Sequence, residues 1–82
     1  MKQVMSNYDK QVDIGKSYFL KYDQQLLAEK FHLETDEQYL YLTYIGTRCR
    51  IARSTGTIYE ETGGEYTECR SYDTVMTIYD ML

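Results

Sequence analysis

The first third of the chain carries apolar residues at steps of three and four, the period of an amphipathic helix. The members of this stripe are Tyr8, Val12, Gly15, Phe19, Tyr22 and Leu26. Asn7 stands where an N-cap is expected, and Asp9 falls in the first turn. Asp23 can cap a second, short helix that runs through Leu27, so the pattern fits either one bent helix or a pair of helices. In both cases the stripe is expected to face the core.

From residue 39 onward the period changes from about 3.6 to 2, which indicates β-strands. The stretch YLYLTYIGTRCRI predicts a hairpin with a two-residue loop at Gly46 and Thr47, and this loop pairs Leu42 with Ile51. The face predicted to point towards the helices consists of Leu40, Leu42, Tyr44, Cys49 and Ile51. The face predicted to point away from them consists of Tyr39, Tyr41, Thr43, Arg48 and Arg50.

A turn at residues 54–56 is expected to return the chain through a third strand at residues 57–59, which completes an antiparallel meander. Two registers fit this strand. A two-residue loop turns Ile58 inward and sets Glu61 opposite Arg50, and we favour this arrangement. A three-residue loop with a glycine bulge turns Tyr59 inward instead.

The last third of the chain predicts a linker followed by a helix. The segment EETGGEY, residues 60–66, is rich in glycine and charge and is interpreted as the linker. Ser71 is expected to cap a closing helix, whose apolar side consists of Tyr72, Val75, Met76, Tyr79 and Leu82.

The predicted fold class is therefore α+β, with two layers: an N-terminal helix or helix pair, a three-stranded antiparallel meander and a C-terminal helix. Residues 1–82 are expected to form one small domain, either complete or the N-terminal part of a longer family domain. Its core is expected to bury Phe19, Leu26, Leu42 and Ile51.

Charge narrows the range of partners. The net charge is −4 and the pI is about 4.8, and from residue 34 onward nine carboxylates oppose four arginines. Attraction to phosphate requires the opposite sign, so neither nucleic acid nor a membrane is expected as a partner. Two cysteines without a C-x-x-C pair, and no apolar leader at the N-terminus, indicate the reducing cytoplasm.

Four segments together resemble the N-terminal part of an uncharacterised prokaryotic family, a domain of unknown function. They are NYDK near the start, YFLKYDQQLLAE, YLTYIGTRCRIARSTGTIYEE and SYDTVMTIYDML. The resemblance covers nearly the whole chain, and none of its residues forms a catalytic signature. Members of that family are longer, and some carry a cysteine-rich iron–sulfur module. This chain has two cysteines, so no cofactor is expected.

The local sequence motifs that could indicate catalysis, phosphate binding or metal binding are incomplete. Gly15-Lys16-Ser17 copies the end of a phosphate-binding loop, but no glycine stands at residue 10 and no strand precedes it. His32 is the only histidine, and Cys49 and Cys69 lack zinc-site spacing, so Cys49 is interpreted as a small core residue and Cys69 as a loop thiol. The carboxylates of Glu60, Glu61, Glu65 and Glu68 match no calcium loop and are interpreted as a solvated acidic segment. No catalytic, cofactor-binding or metal-binding residue is expected.

The remaining candidate is the outward sheet face, whose residues are Tyr39, Tyr41, Thr43, Arg48 and Arg50. Tyrosine and arginine are enriched at binding hot spots. The sequence therefore predicts a non-enzymatic protein-interaction or accessory module, whose partner is another protein or a second copy in a homodimer joined through the sheet face or the closing helix. The alternative is a ligand-binding or catalytic fragment whose site is completed by further sequence or a partner.

Overall fold

The computed structural model describes the backbone of residues 7–82 and the side chains of residues 9–82. The helices are α1 (Asn7–Lys21), α2 (Gln24–Phe31) and α3 (Tyr72–Met81). The strands are β1 (Glu34–Thr35), β2 (Tyr39–Tyr44), β3 (Thr47–Ala52), β4 (Ile58–Thr62) and β5 (Glu65–Glu68). Helices α1 and α2 precede the strands, and α3 closes the chain. The α+β class is confirmed, but among the described residues the sheet has five strands where a three-stranded meander was predicted.

Two separate helices form the N-terminal part, as the helix-pair alternative predicted. The amide of Tyr22 donates to the carbonyl of Phe19 at 3.3 Å, which closes α1 with a tighter turn. Asp23 then adopts extended backbone geometry, and its carboxylate accepts from the amides of Gln25 and Leu26 at 3.0 and 3.2 Å. The proposed Asn7 cap depends on a side chain outside the described ones.

The break between α1 and α2 corrects the predicted core stripe. Phe19 is buried as expected, but the Tyr22 side chain is exposed and Leu26 is 60% exposed. In α2 the buried residues are Leu27 and Ala28. The extended residue Asp23 restarts the helix in a new rotational phase, so the apolar stripe of α1 does not continue into α2.

All five strands run antiparallel in the order β1-β2-β3-β4-β5. The β2–β3 turn consists of Ile45 and Gly46, both with positive φ, so the predicted loop was placed one residue too late. Leu42 therefore pairs with Cys49, where Ile51 was predicted. The register differs by two residues, and an even step leaves the inward and outward sets unchanged.

A five-residue loop joins β3 to β4, longer than either predicted loop. Its closing bond runs from the Gly56 amide to the Ala52 carbonyl at 2.7 Å, and Gly56 has a φ of 78°. Ile58 points inward, as the favoured register predicted, and it pairs with Ile51. The predicted partner of Arg50 was wrong, because the longer loop sets Tyr59 rather than Glu61 opposite it.

The segment predicted as a linker is a β-hairpin. Gly63 and Gly64, with φ of 61° and 85°, form its two-residue turn between Thr62 and Glu65. Positive φ at both central residues is the geometry that two-residue hairpin loops require, and glycine adopts it without strain. The other unpredicted strand, β1, adds two residues beside β2.

The core lies between the inner sheet face and the helices. Its buried members are Phe19, Leu27, Ala28, Leu40, Leu42, Cys49, Ile51, Ile58, Cys69, Val75 and Ile78. Cys69 is buried where a loop thiol was predicted, because its amide extends the β4–β5 pairing by donating to the Ile58 carbonyl at 2.9 Å. In α3 the buried side chains are Val75 and Ile78. The predicted apolar side missed Ile78 and wrongly included Tyr72, which is exposed.

Close contact at Gly15 joins α1 to α3. A Cβ at this residue would lie 2.9 Å from ring carbons Cγ and Cε2 of Tyr79, so only glycine fits without movement. The Tyr79 hydroxyl donates to the Gly56 carbonyl, which ties α3 to the β3–β4 loop. The Ser71 hydroxyl accepts from the Thr74 amide at 3.4 Å and caps α3 as predicted. Across the described residues, each helix is too short or too polar to cross a bilayer.

Candidate interaction surface

The sheet face opposite the helices contains all five residues of the predicted interaction surface. Strand alternation places them there, because Leu40, Leu42, Cys49 and Ile51 between them point into the core. Two further tyrosines join them from strands that the sequence pattern missed or misaligned. We call the set the tyrosine–arginine face: Tyr39, Tyr41, Thr43, Arg48, Arg50, Tyr59 and Tyr66.

Arg50 occupies the middle of this face. Its guanidinium carbon lies 3.9 Å from the ring centroid of Tyr39 and 3.9 Å from that of Tyr66, so two aromatic rings cover it. The Tyr59 ring is farther away, at 6.0 Å. A cation near an aromatic ring face is attracted by the ring quadrupole. Stacking between two rings also restricts a side chain that would otherwise have many rotamers.

The tyrosine rings contact one another as well. The Tyr39 and Tyr59 centroids are 6.3 Å apart, with ring planes at 88°, and the Tyr39 and Tyr41 centroids are 6.1 Å apart, with planes at 53°. Both separations are typical of favourable edge-to-face and tilted aromatic pairs. The ring contacts therefore join β2 to β4, and Arg50 connects the Tyr66 ring of β5 to the same layer.

Polar contacts order the β1 side of the face. Arg48 Nη2 donates to Glu34 Oε2 at 2.8 Å, and the hydroxyl of Tyr41 donates to Asp36 Oδ2 at 2.7 Å. The Tyr41 bond lowers the pKa of the Asp36 carboxyl and raises the pKa of the Tyr41 hydroxyl. The Glu34 bond is the main cause that raises the pKa of Arg48. Both exposed pairs fix side-chain direction more than they stabilise the fold.

Arg53 holds the loop that presents Asp36. Its Nη1 donates to the Asp36 carbonyl at 2.7 Å, and its Nε donates to Oε1 of Gln24 at 2.9 Å. Gln24 Nε2 donates in return to the Arg53 carbonyl at 2.9 Å. These bonds connect α2 to the loop that leads into β2 and to the loop that follows β3. Sequence reasoning missed this role, because the partners lie far apart in the chain and follow no local pattern.

Arg50 differs from Arg48 in its charge partners. Within the described residues no carboxylate forms an ion pair with Arg50, and its Nε atom is buried without a hydrogen-bond partner. The surrounding rings offset part of this cost, because their faces attract positive charge. Arg50 is therefore a cation held in a fixed position with no described carboxylate at ion-pair distance. Glu61 and Glu68 lie on the same sheet face, and the charge of Arg50 contributes to lowering the pKa of Asp36.

The other predicted candidates do not form a reactive group. Cys49 and Cys69 are buried. Burial raises the pKa of the Cys49 thiol to about 11, and burial also raises the pKa of the Cys69 thiol. A protonated thiol is a poor nucleophile and a poor metal ligand. Glu60 and Glu65 lie on the opposite sheet face from Glu61 and Glu68. In the described part of the chain no three residues of the ligand types His, Cys, Asp and Glu come together as a metal site.

Comparisons with protein-family models, with curated proteins and with solved structures each gave no match. Function is therefore inferred from the side chains of this chain alone.

Proposed function

We propose that the chain is a cytoplasmic protein-interaction module without enzymatic activity, and that it binds its partner through the tyrosine–arginine face. The observation that carries the proposal is Arg50, stacked at 3.9 Å between the rings of Tyr39 and Tyr66. Arginine and tyrosine are the residues that most often dominate binding energy, and side chains already ordered before binding lose less entropy on association. The resemblance to a prokaryotic domain of unknown function stays a proposal and adds no activity to this one.

The chemistry of the face indicates what the partner supplies. Arg48 already pairs with Glu34, whereas Arg50 has no ion pair with a described carboxylate. A carboxylate from the partner, placed over the centre of the face, would complete the charge pairing of Arg50. Flat aromatic area around this point would be covered by apolar side chains of the same partner. We therefore expect a protein surface with an acidic residue surrounded by apolar ones.

Site-specific photocross-linking tests this proposal. A benzophenone amino acid is placed at Thr43, an exposed member of the face, and, as a matched control, at Thr77, an exposed threonine on α3. Each variant is expressed in cells of the source organism, and cross-linked proteins are identified by mass spectrometry. We expect a product from the Thr43 position that is absent from the Thr77 position.

The affinity of the captured protein is then measured with purified components. Truncation of a hot-spot residue costs at least about 2 kcal/mol, so Arg50→Ala should weaken binding roughly 30-fold. Thr77→Ala should leave the affinity unchanged. Equal cross-linking from both positions, or an affinity that does not respond to Arg50→Ala, would contradict the proposal.

A further inference from the structure

The outward side of α1 exposes apolar side chains that no residue in the described part of the chain covers. Ile14 is 50% exposed, Tyr18 is 62% exposed and Leu20 is 45% exposed. A groove of about 390 Å³ between α1 and α3 opens beside Ile14 and Tyr18. This surface lies on the helix layer, on the far side of the molecule from the tyrosine–arginine face.

A charged row crosses the same surface. Asp13, Ser17 and Lys21 follow one another at steps of four, so they form one ridge of the helix, with Ile14 and Tyr18 beside it. All three are exposed, and within the described residues neither Asp13 nor Lys21 takes part in an ion pair. The acidic member is near the start of α1 and the basic member is at its end.

This row is complementary to the same row of a second copy that runs in the opposite direction, because its two ends carry opposite charges. A two-fold axis beside Ser17 places a second copy of α1 antiparallel to the first, with the rows of both helices aligned. Asp13 of each copy then lies beside Lys21 of the other, and the small Ser17 side chains meet at the crossing point. Ile14 and Leu20 flank the crossing, and the groove next to α3 offers space for the Tyr18 ring of the second copy.

We propose that the chain forms an antiparallel homodimer through α1, with Ser17 at the two-fold axis and two Asp13–Lys21 ion pairs across it. The α1 helix has 15 residues, or about 22 Å of length, so the interface is small and belongs to the weak, reversible class. Because α1 lies on the helix layer, both tyrosine–arginine faces point outward in this dimer. The dimer therefore presents two copies of that face, and a partner with two sites would bind it with increased avidity.

Charge reversal tests the pairing directly. Asp13→Lys gives each copy two lysines at the crossing, and Lys21→Asp gives each copy two aspartates, so either variant alone should dimerise at least tenfold more weakly than the native chain. Mixed in equal amounts, the two variants form both ion pairs again and should recover the native dimerisation constant. The measurement is sedimentation equilibrium of each sample at concentrations from the micromolar range up to about 1 mM.

Two controls separate this interface from others. Tyr41→Lys places a charge on the tyrosine–arginine face and should leave the dimer unchanged, and thermal melting confirms that each variant is folded. A native chain that stays monomeric up to about 1 mM would overturn the inference, because weak interfaces of this kind still associate at that concentration. A dimer that ignores both reversals, or that Tyr41→Lys dissociates, would overturn it as well. The partner-binding assay on Arg50→Ala is independent of these outcomes.

Discussion

The two outer surfaces of the molecule use similar residues in different ways. On the tyrosine–arginine face, aromatic rings contact each other, a guanidinium is stacked between two of them, and the outlying polar groups of Arg48 and Tyr41 have partners within the chain. On the outer side of α1, Ile14 and Tyr18 face solvent, and the charges of Asp13 and Lys21 have no described ion-pair partner.

The difference bears on which surface a second copy would cover, and composition alone does not answer that question. The sequence predicts a homodimer joined through the sheet face or the closing helix. In the structure, the tyrosines of that face cover one another, and cross-strand aromatic pairs and cation–π contacts replace part of the covering that a second copy would give. The surface with more uncovered apolar area is instead on a helix.

The largest expected effect on stability comes from comparing a buried leucine of α2 with an exposed one. Leu27→Ala should lower the free energy of unfolding by about 2–5 kcal/mol, because Leu27 is only 5% exposed and its loss leaves a cavity. Leu26→Ala is the matched control and should change it by no more than about 0.5 kcal/mol. The measurement is denaturant unfolding. Equal losses of stability from Leu27→Ala and Leu26→Ala would contradict the new rotational phase in which α2 begins after Asp23.

The next largest effect on stability concerns the close contact between α1 and α3. Gly15→Ala should destabilise the fold by about 1–3 kcal/mol, because the added methyl meets the Tyr79 ring. Ser17→Ala, an exposed substitution in the same helix, should have little effect or stabilise slightly through helix propensity. Thermal melting of both variants checks this. If Gly15→Ala raises the melting temperature, the close contact between α1 and α3 does not exist.

A smaller effect compares the two arginines of the sheet face. Arg50→Ala should cost about 1–2 kcal/mol, because it removes a cation from between two rings and leaves apolar ring faces in water. Arg48→Ala removes an exposed ion pair and should leave stability nearly unchanged. Denaturant midpoints of the two variants give the comparison. A larger loss from Arg48→Ala would mean that charge pairing, not ring stacking, orders this face.

The smallest effect is pH-dependent. The Tyr41–Asp36 bond lowers the pKa of Asp36, so its stabilisation is present above the ordinary value of 3.8 and is lost as pH falls through the lowered folded pKa. The same bond raises the pKa of the Tyr41 hydroxyl. The stabilisation that comes from this shift is present below pH 10.0, the ordinary pKa, and is lost as the pH rises through the raised folded pKa. Tyr41→Phe should therefore lower the melting temperature most between about pH 5 and 9. A difference from the native chain that is constant from pH 3 to 11 would speak against the bond.

The two-faced hairpin and the helix break were readable from the sequence, because both follow from local rules. Alternation along residues 39–51 fixes which side chains point inward even when the turn is misplaced by one residue. Asp23 has the short acceptor side chain that helix N-caps require, so it marked the start of α2. Ser71 marked the start of α3 for the same reason.

The other strands could not be placed as readily. The segment at Gly63 and Gly64 has the signal of a two-residue hairpin turn, but its charged strands have no apolar face to support the assignment. Strand β1 has two residues and is defined by its pairing with β2. The candidate surface was therefore predicted without Tyr59 and Tyr66, because their positions depend on registers set by loops and by non-local pairing.

The central proposal is that a second copy of the chain covers the outer side of α1 and not the tyrosine–arginine face. Disulfide trapping measures this directly. Ser17→Cys places a thiol at the proposed two-fold axis, Thr43→Cys places one on the tyrosine–arginine face, and the native Cys49 and Cys69 are buried and stay protonated at neutral pH. Under mild oxidation at equal concentrations, the account predicts rapid covalent dimer formation from Ser17→Cys and only slow collisional cross-linking from Thr43→Cys. Faster cross-linking from Thr43→Cys, or equal slow rates from both variants, would contradict it.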